Sequence, residues 1–369
     1  MELFFDLVYV FAIIQLSHLL VAHLNWEGAA QFAVLFAAIW WGWNYSAWAM
    51  NWINPQSAPG RILMMVLMAL GLGIALVLPD AFGDSGLVFA GLYVTSQVLR
   101  PTFMVVCFRG TILGRNYRNL LVWSATAGIF WITGALLEAD ARLVVWALAV
   151  GVDYLAPRLD FRVPGLGSAP MGDWDTNAEH LGERNRLVFI IALGESILMT
   201  GFTLREQLDV QGPSALLQSA FPAVTGFVGL CLMWWNYFSI VDRTDRTHDS
   251  ASTSALRGAY AYAHALMVAG AIVFAVFIEL LLTNDHVNPA IASIAVAGPL
   301  LFFAGQALFS SWRGGGSLWP QARGALGVMV VGGTALMLPA MSLPLLGVAM
   351  LAALALPLVS FVSTKGISP

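Results

Sequence analysis

The stretch IIALGESILMTG, residues 190–201, holds a single acid, Glu195, deep in an otherwise apolar run. An ionised carboxylate is costly in such surroundings, so the group is either neutral or paired. As chemistry, it can carry a proton or a cation. As packing, a protonated Glu donates a hydrogen bond that locks two helices. Gln, Asn or Ser would make that bond without an ionisation penalty, which favours the carrier role. Arg100, in an apolar run before Pro101, is the expected counter-ion or substrate clamp, against the plainer reading of an Arg reaching lipid headgroups.

Other charged residues gather where apolar runs begin. Glu2 and Asp6 are four apart and share a helix face, where capping of the N-terminus competes with a functional reading. His180, Glu183 and Arg184 form an H-x-x-E-R cluster at a second such start. Together these five residues are expected to form a cytoplasmic gate. A His and Glu at this spacing can bind one metal, but a bridged site needs a second pair that the chain lacks, so no metal or other cofactor is expected. Gln15 and His18 extend the polar character of the first run, and Asn44, Tyr45, Asn236 and Tyr237 recur in two W-N-Y tripeptides. These six are the expected cavity lining, with interhelical hydrogen bonding as the alternative role.

The elements that must hold these residues are set by composition. Of 369 residues, 59% are hydrophobic and 10% are charged, far below the roughly 25% of a soluble domain. Apolar runs recur at about the length that crosses a hydrocarbon core. The expected fold is an all-α polytopic membrane protein with about twelve transmembrane helices. They lie near 3–24, 30–52, 61–79, 86–108, 119–138, 141–157, 183–203, 214–240, 257–283, 289–311, 322–339 and 343–362. A β-barrel would show short alternating segments instead. The first run lacks a basic start and a small-residue cleavage motif, so it reads as a retained span. Cys107 and Cys231 read as packing residues.

Arginine placement orients the chain. Arg142 and Arg205 fall on one side, and the other basic residues, including the tail Lys365, fall beside alternate loops. The excess marks the cytoplasmic side, so both termini are expected there, in an inner membrane. Paired tripeptides add an internal repeat: Trp43-Asn44-Tyr45 with Trp235-Asn236-Tyr237, and Phe89-Ala90-Gly91 with Phe303-Ala304-Gly305. The expected organisation is two parallel six-helix halves, 1–157 and 183–369, joined by a cytoplasmic linker, 158–182. A net charge of −4 without a basic patch argues against a nucleic-acid partner, and no phosphate-loop, metalloprotease or nucleophile-elbow motif occurs.

The motifs ELFFDLVYVFAIIQLSHLL, at 2–20, and HLGERNRLVFIIALGESIL, at 180–198, resemble those of the bacterial low-temperature-requirement protein A (LtrA) family. The likeness spans nearly the whole chain and implies a multi-span inner-membrane protein tied to growth in the cold, of no established biochemical activity. Taken with the residues, it leads to a secondary transporter or permease for a small solute, with proton coupling as its expected mode. A non-transporting membrane scaffold or stress-response protein is the competing reading, and an intramembrane enzyme ranks last. The lipid bilayer and a small solute are the expected partners. Reporter fusions after Arg118 and Arg246 should report inside, and fusions near Asp84 and Asp285 outside. A reversed signal at any of the four breaks the topology.

Overall fold

In a computed structural model, residues 2–54, 56–170, 172, 174, 177–212, 214–247, 253–314, 317–338 and 341–359 are described, without the side chains of 211, 214–218 and 242–247. Lys365 lies outside these residues, and the side chains of Arg243 and Arg246 do too. Twelve helices are found among the described residues: α1 Glu2–Ala22, α2 Trp26–Ala49, α3 Ala58–Val77, α4 Gly86–Cys107, α5 Ile112–Ala135 and α6 Ala139–Leu155. The rest are α7 Ala178–Gln211, α8 Ser214–Thr247, α9 Thr253–Thr283, α10 Pro289–Arg313, α11 Trp319–Met337 and α12 Leu343–Leu358. No described residue forms a strand, and only two isolated bridges occur, Val163 with Gly167 and His286 with Ser342.

Each helix falls on an apolar run read from the sequence. Six stretches are long and apolar enough to cross a membrane: α1, Ala58–Asp80, Ala178–Val210, Ser219–Val241, α9 and α10. The expected twelve spans are therefore met in full as helices and in part as spans. With 17 residues, α6 is shorter than the roughly 20 that a bilayer needs.

Helix starts follow local chemistry. Asn25, Ser57, Thr111 and Asn288 each precede a helix, and their side chains accept from the N–H of Gly28, Gly60, Gly114 and Ile291. Such caps satisfy a donor that would otherwise be stranded at the helix end. Outward faces stay apolar: α3 exposes Ile62, Met65, Val66, Leu72 and Leu76, while Leu63, Met64, Leu67 and Ile74 are buried. A helix apolar all round fits lipid rather than water.

The chain divides into two compact units, Met1–Leu187 with Ser252–Ser254, and Val188–Ala251 with Ala255–Pro369. The division falls inside α7. In the first unit α1 packs on α2 and α3, α4 on α3 and α5, and α6 on α5 and α2. Phe89, Tyr93, Trp131 and Trp146 form its aromatic centre, with Trp131 and Trp146 ring centroids 5.1 Å apart. The described residues within 158–182, expected as a cytoplasmic linker, are tied onto this unit. Asn119 Nδ2 donates to the Gly167 carbonyl at 3.1 Å, and Trp174 packs against Trp52, Tyr117 and Phe161.

In the second unit α9 and α10 meet backbone to backbone. A Cβ on Gly270 would stand 2.6 Å from the Phe302 nitrogen, and one on Gly305 would stand 2.7 Å from the Ala263 carbonyl. Small residues allow such approach between apolar helices, where dispersion must supply the attraction. Gly91, paired with Gly305 in the sequence repeat, has open space around its Cβ position, so the two glycines pack differently. Two further expectations are corrected. Cys107 and Cys231 are exposed rather than packed, and Trp48, whose place near the end of an apolar run suggests an interfacial anchor, is buried.

Arg142, one of two basic residues on the expected outer side, is 8% exposed. Its guanidinium donates to four carbonyls: Ala81 at 2.9 Å, Gly83 at 2.7 Å, Ala135 at 3.3 Å and Leu137 at 3.1 Å. These carbonyls end α5 and the short 3-10 turn that follows α3, where helix dipoles leave negative charge. A structural clamp therefore explains this exception to the charge bias. Each buried carbonyl left unpaired costs about 1–3 kcal/mol. Arg142→Met should accordingly lower the thermal unfolding midpoint in detergent sharply, with Arg142→Lys recovering only part. A Met variant as stable as the parent would contradict the clamp.

Candidate functional site

The first unit gathers most of the polar residues singled out in the sequence. Glu2 and Asp6 lie one turn apart on α1, and His180 and Arg184 one turn apart on α7. The two pairs meet. His180 Nε2 is 2.9 Å from Glu2 Oε2, Arg184 Nη1 is 3.1 Å from the same oxygen, and Arg184 Nη2 donates to Asp6 Oδ1 at 2.5 Å. Trp43 Nε1 donates to Asp6 Oδ1 at 2.8 Å, and the Arg184 guanidinium lies 5.9 Å from the Trp43 ring centroid. Asp6 and Arg184 are buried. A cation near a helix N-terminus opposes that helix's dipole, so the α1 carboxylates, rather than α7 itself, hold Arg184 here. Glu183 does not join them: it turns away and is exposed. Four of the five expected gate residues thus form one ion cluster.

The cluster opens on a hollow of about 720 Å³ lined by Glu2, His180, Asn51, Asn54, Gln56 and Asn177 with apolar neighbours. The Asn177 N–H donates to Asn51 Oδ1 at 3.2 Å, and the Gln56 N–H donates to Asn54 Oδ1 at 2.8 Å.

A second polar cluster abuts the first at Trp43 and Gly42 on α2. Arg100, 1% exposed, donates from Nη1 to the Gly42 carbonyl at 3.2 Å and to Ser46 Oγ at 2.9 Å. From Nη2 it donates to Gln97 Oε1 at 2.7 Å. Gln97 Nε2 donates to the Tyr93 hydroxyl at 3.1 Å, and that hydroxyl lies 3.5 Å from Asp153 Oδ2. The Arg100 guanidinium also sits 5.3 Å from the Tyr45 ring centroid. One helix face explains the train: Tyr93, Gln97 and Arg100 stand at i, i+4 and i+7. That spacing was readable, but Tyr93, Gln97 and Ser46 escaped the sequence reading. By its place close to the end of an apolar run, Asp153 reads from the sequence as solvated at the interface; it is 3% exposed and belongs to this core.

The remaining candidates lie elsewhere. Gln15 is half-buried, and His18 is exposed, off the buried face of α1 formed by Asp6, Tyr9, Ile13, Leu16 and Leu20, so the expected polar stripe does not form. Asn44 is buried, with its Nδ2 unpartnered, and Tyr45 is buried against Trp41. In the second unit Asn236 Nδ2 donates at 2.9 Å to the Leu354 carbonyl, tying α8 to α12. The Tyr237 hydroxyl donates to His264 Nε2 at 3.0 Å, and His264 Nδ1 donates to the Ala259 carbonyl at 2.9 Å. That carbonyl also accepts the His264 backbone N–H in the π-helical segment Gly258–Ala263. None of Gln15, His18, Asn44, Tyr45, Asn236 or Tyr237 lines the hollow beside Glu2.

Glu195 is half-buried in the second unit and has no hydrogen-bond or ion partner among the described residues. The described partners of Arg100 are all in the first unit, and all are neutral. The ion pair expected between Glu195 and Arg100 is not among them. No group of three or more His, Cys, Asp or Glu side chains able to hold a metal occurs among the described residues.

Comparison with known proteins agrees with the motifs. The family model described as bacterial low temperature requirement A protein (LtrA) matches residues 1–356. The uncharacterized protein RA0937 of Rhizobium meliloti (strain 1021) is 35% identical over 315 residues, covering 82% of this chain and 75% of that one. No solved structure matches the chain. The chain belongs to the bacterial low temperature requirement A (LtrA) family.

Proposed function

We propose that this LtrA-family chain is a secondary transporter of the inner membrane, moving a small solute coupled to protons, with both termini cytoplasmic. One observation supports the reading above others: ionisable and hydrogen-bonding side chains run from an open polar hollow to a fully buried carboxyl. The train passes from Glu2 and His180 through Arg184 and Asp6, then past Trp43 and Gly42 to Arg100, Gln97, Tyr93 and Asp153. A scaffold has no need of it. Helix packing is met at lower cost by apolar contacts, and charges within membrane helices are retained mainly for transport or relay work. The parallel six-plus-six arrangement belongs to this proposal, since many such carriers rock two related halves about a central site. So does a coupling role for Glu195: a carboxyl without a described partner is free to exchange its proton.

The test is solute-driven proton movement. The purified chain, in liposomes holding a pH-sensitive dye and clamped at zero potential, is challenged with panels of small anions, cations and neutral solutes. At least one class should accelerate proton movement over protein-free liposomes. Glu195→Gln, which keeps shape and hydrogen bonding but removes titration, should cut that rate by about tenfold or more. Glu195→Leu should also cost stability. No solute-dependent movement by a folded protein would favour the scaffold. A Glu195→Gln variant with the parent's rate would make Glu195 structural.

A further inference from the structure

Arg100 differs from the other buried guanidinium groups of the first unit. Arg184 sits between two carboxylates, and Arg142 is held by four carbonyls at helix ends. Arg100 has neither arrangement. Its hydrogen-bond acceptors are one carbonyl, one hydroxyl and one carboxamide oxygen, and its Nε–H has no partner. Four buried phenols, of Tyr9, Tyr45, Tyr93 and Tyr117, stand close enough to interact with the same charge. A guanidinium, a serine hydroxyl, a carboxamide and phenolic O–H groups are the donor set that binds an oxyanion. A buried cation without an adjacent anion is costly, and a bound anion removes that cost.

The nearest acid along the hydrogen-bonded train is Asp153, two side chains away through Gln97 and Tyr93. The titratable or charged groups that act on Asp153 are Tyr93 and Arg100, both from α4, while α5 brings Trp131. With Asp153 ionised, the core formed by Arg100 and Asp153 is neutral. When Asp153 takes up a proton, the Arg100 charge is left for an added anion to balance.

We infer that Arg100 is the binding centre for a small carboxylate or similar oxyanion, and that Asp153 takes up one proton as the anion binds. The two charges then enter together and leave the core neutral at every stage, which is proton–anion symport. The symport step rests on the transport reading; the binding step does not. Arg100 is closed off here, so binding requires the unit to open, with the hollow at Glu2 and His180 as the polar approach. On opening, the anion displaces Ser46 Oγ and Gln97 Oε1 from the guanidinium, which frees the hydrogen bond from Gln97 to Tyr93 to rearrange.

The experiment uses the full chain in detergent, titrated with sodium formate, acetate or methanesulfonate at constant ionic strength set by sodium chloride. Propylammonium chloride is the cationic control. Intrinsic tryptophan fluorescence reports binding, and a pH electrode in weakly buffered solution reports proton uptake. At least one of the three anions should bind saturably, with one proton taken up per anion, and propylammonium should not bind. Arg100→Gln should weaken binding by about tenfold or more. Asp153→Asn, its fold checked by circular dichroism, should still bind the anion but take up no proton. The inference is overturned if none of the three anions binds, if propylammonium binds instead, or if Arg100→Gln keeps the parent's affinity. It is also overturned if proton uptake survives Asp153→Asn. Anion binding with proton uptake in detergent, but no solute-driven flux in liposomes, would sink the transport reading and leave the site intact.

Discussion

The first unit is governed by the cost of placing charge among apolar side chains. Glu2, Asp6, Asp153, Arg100, Arg184 and His180 all lie within it, and four of the six are nearly or fully buried. Taking such groups out of water costs several kcal/mol each unless partners compensate. Compensation in turn dictates the packing. Arg184 must reach α1, so the start of α7 docks against Glu2 and Asp6. Trp43 must reach Asp6, so α2 lies beside α1 at that level. Ser46 and the Gly42 carbonyl must reach Arg100, so the same part of α2 faces α4. Close approach at Gly42 is part of this: a Cβ there would stand 3.3 Å from the Tyr9 hydroxyl. Helix positions are thus fixed by polar geometry at one end of the unit and by Arg142 at the other.

The second unit is built on another principle. Its helices α9 and α10 meet glycine against backbone, with stacked aromatics around Phe189, Tyr237 and Phe302. Both ring nitrogens of His264 are engaged, one by the π-helical carbonyl of Ala259 and one by Tyr237. π-Helical turns inside α-helices often mark functional positions, because one extra residue per turn misaligns the ladder. Here the misfit is absorbed by a buried side chain rather than by solvent.

How much was legible follows from range. Helix positions came from apolar run length, a local property, and the twelve helices sit where the runs do. Glu2 and Asp6 were found because they stand at i, i+4 on one helix, and His180 and Arg184 because they belong to the H-x-x-E-R cluster. Their meeting is a contact 178 positions apart that no local pattern encodes. Asp153 was misread because depth along a helix was taken as exposure; it lies near the end of α6 yet faces inward, toward Tyr93. His18 was misread in the opposite sense, since polar type was taken to imply an inward face, and Glu183 was grouped with its neighbours by sequence proximity alone. The pairing of Arg100 with Glu195 rested on complementary charge alone, and the neutral partners of Arg100 were invisible without the fold.

The most direct measurement is a pair of double-mutant cycles on unfolding free energy in mixed micelles. One cycle uses Asp6→Asn with Arg184→Gln, and the other Asp153→Asn with Arg100→Gln. Arg184 is a compensated structural charge, whereas Arg100 is held by neutral groups and kept for an exchangeable partner. The first cycle should therefore give a coupling of about 3 kcal/mol or more, as for a buried pair, and the second a clearly smaller one, about half of that or less. A coupling between Asp153 and Arg100 as large as that between Asp6 and Arg184 would contradict this, because Arg100 would then already have its counter-ion.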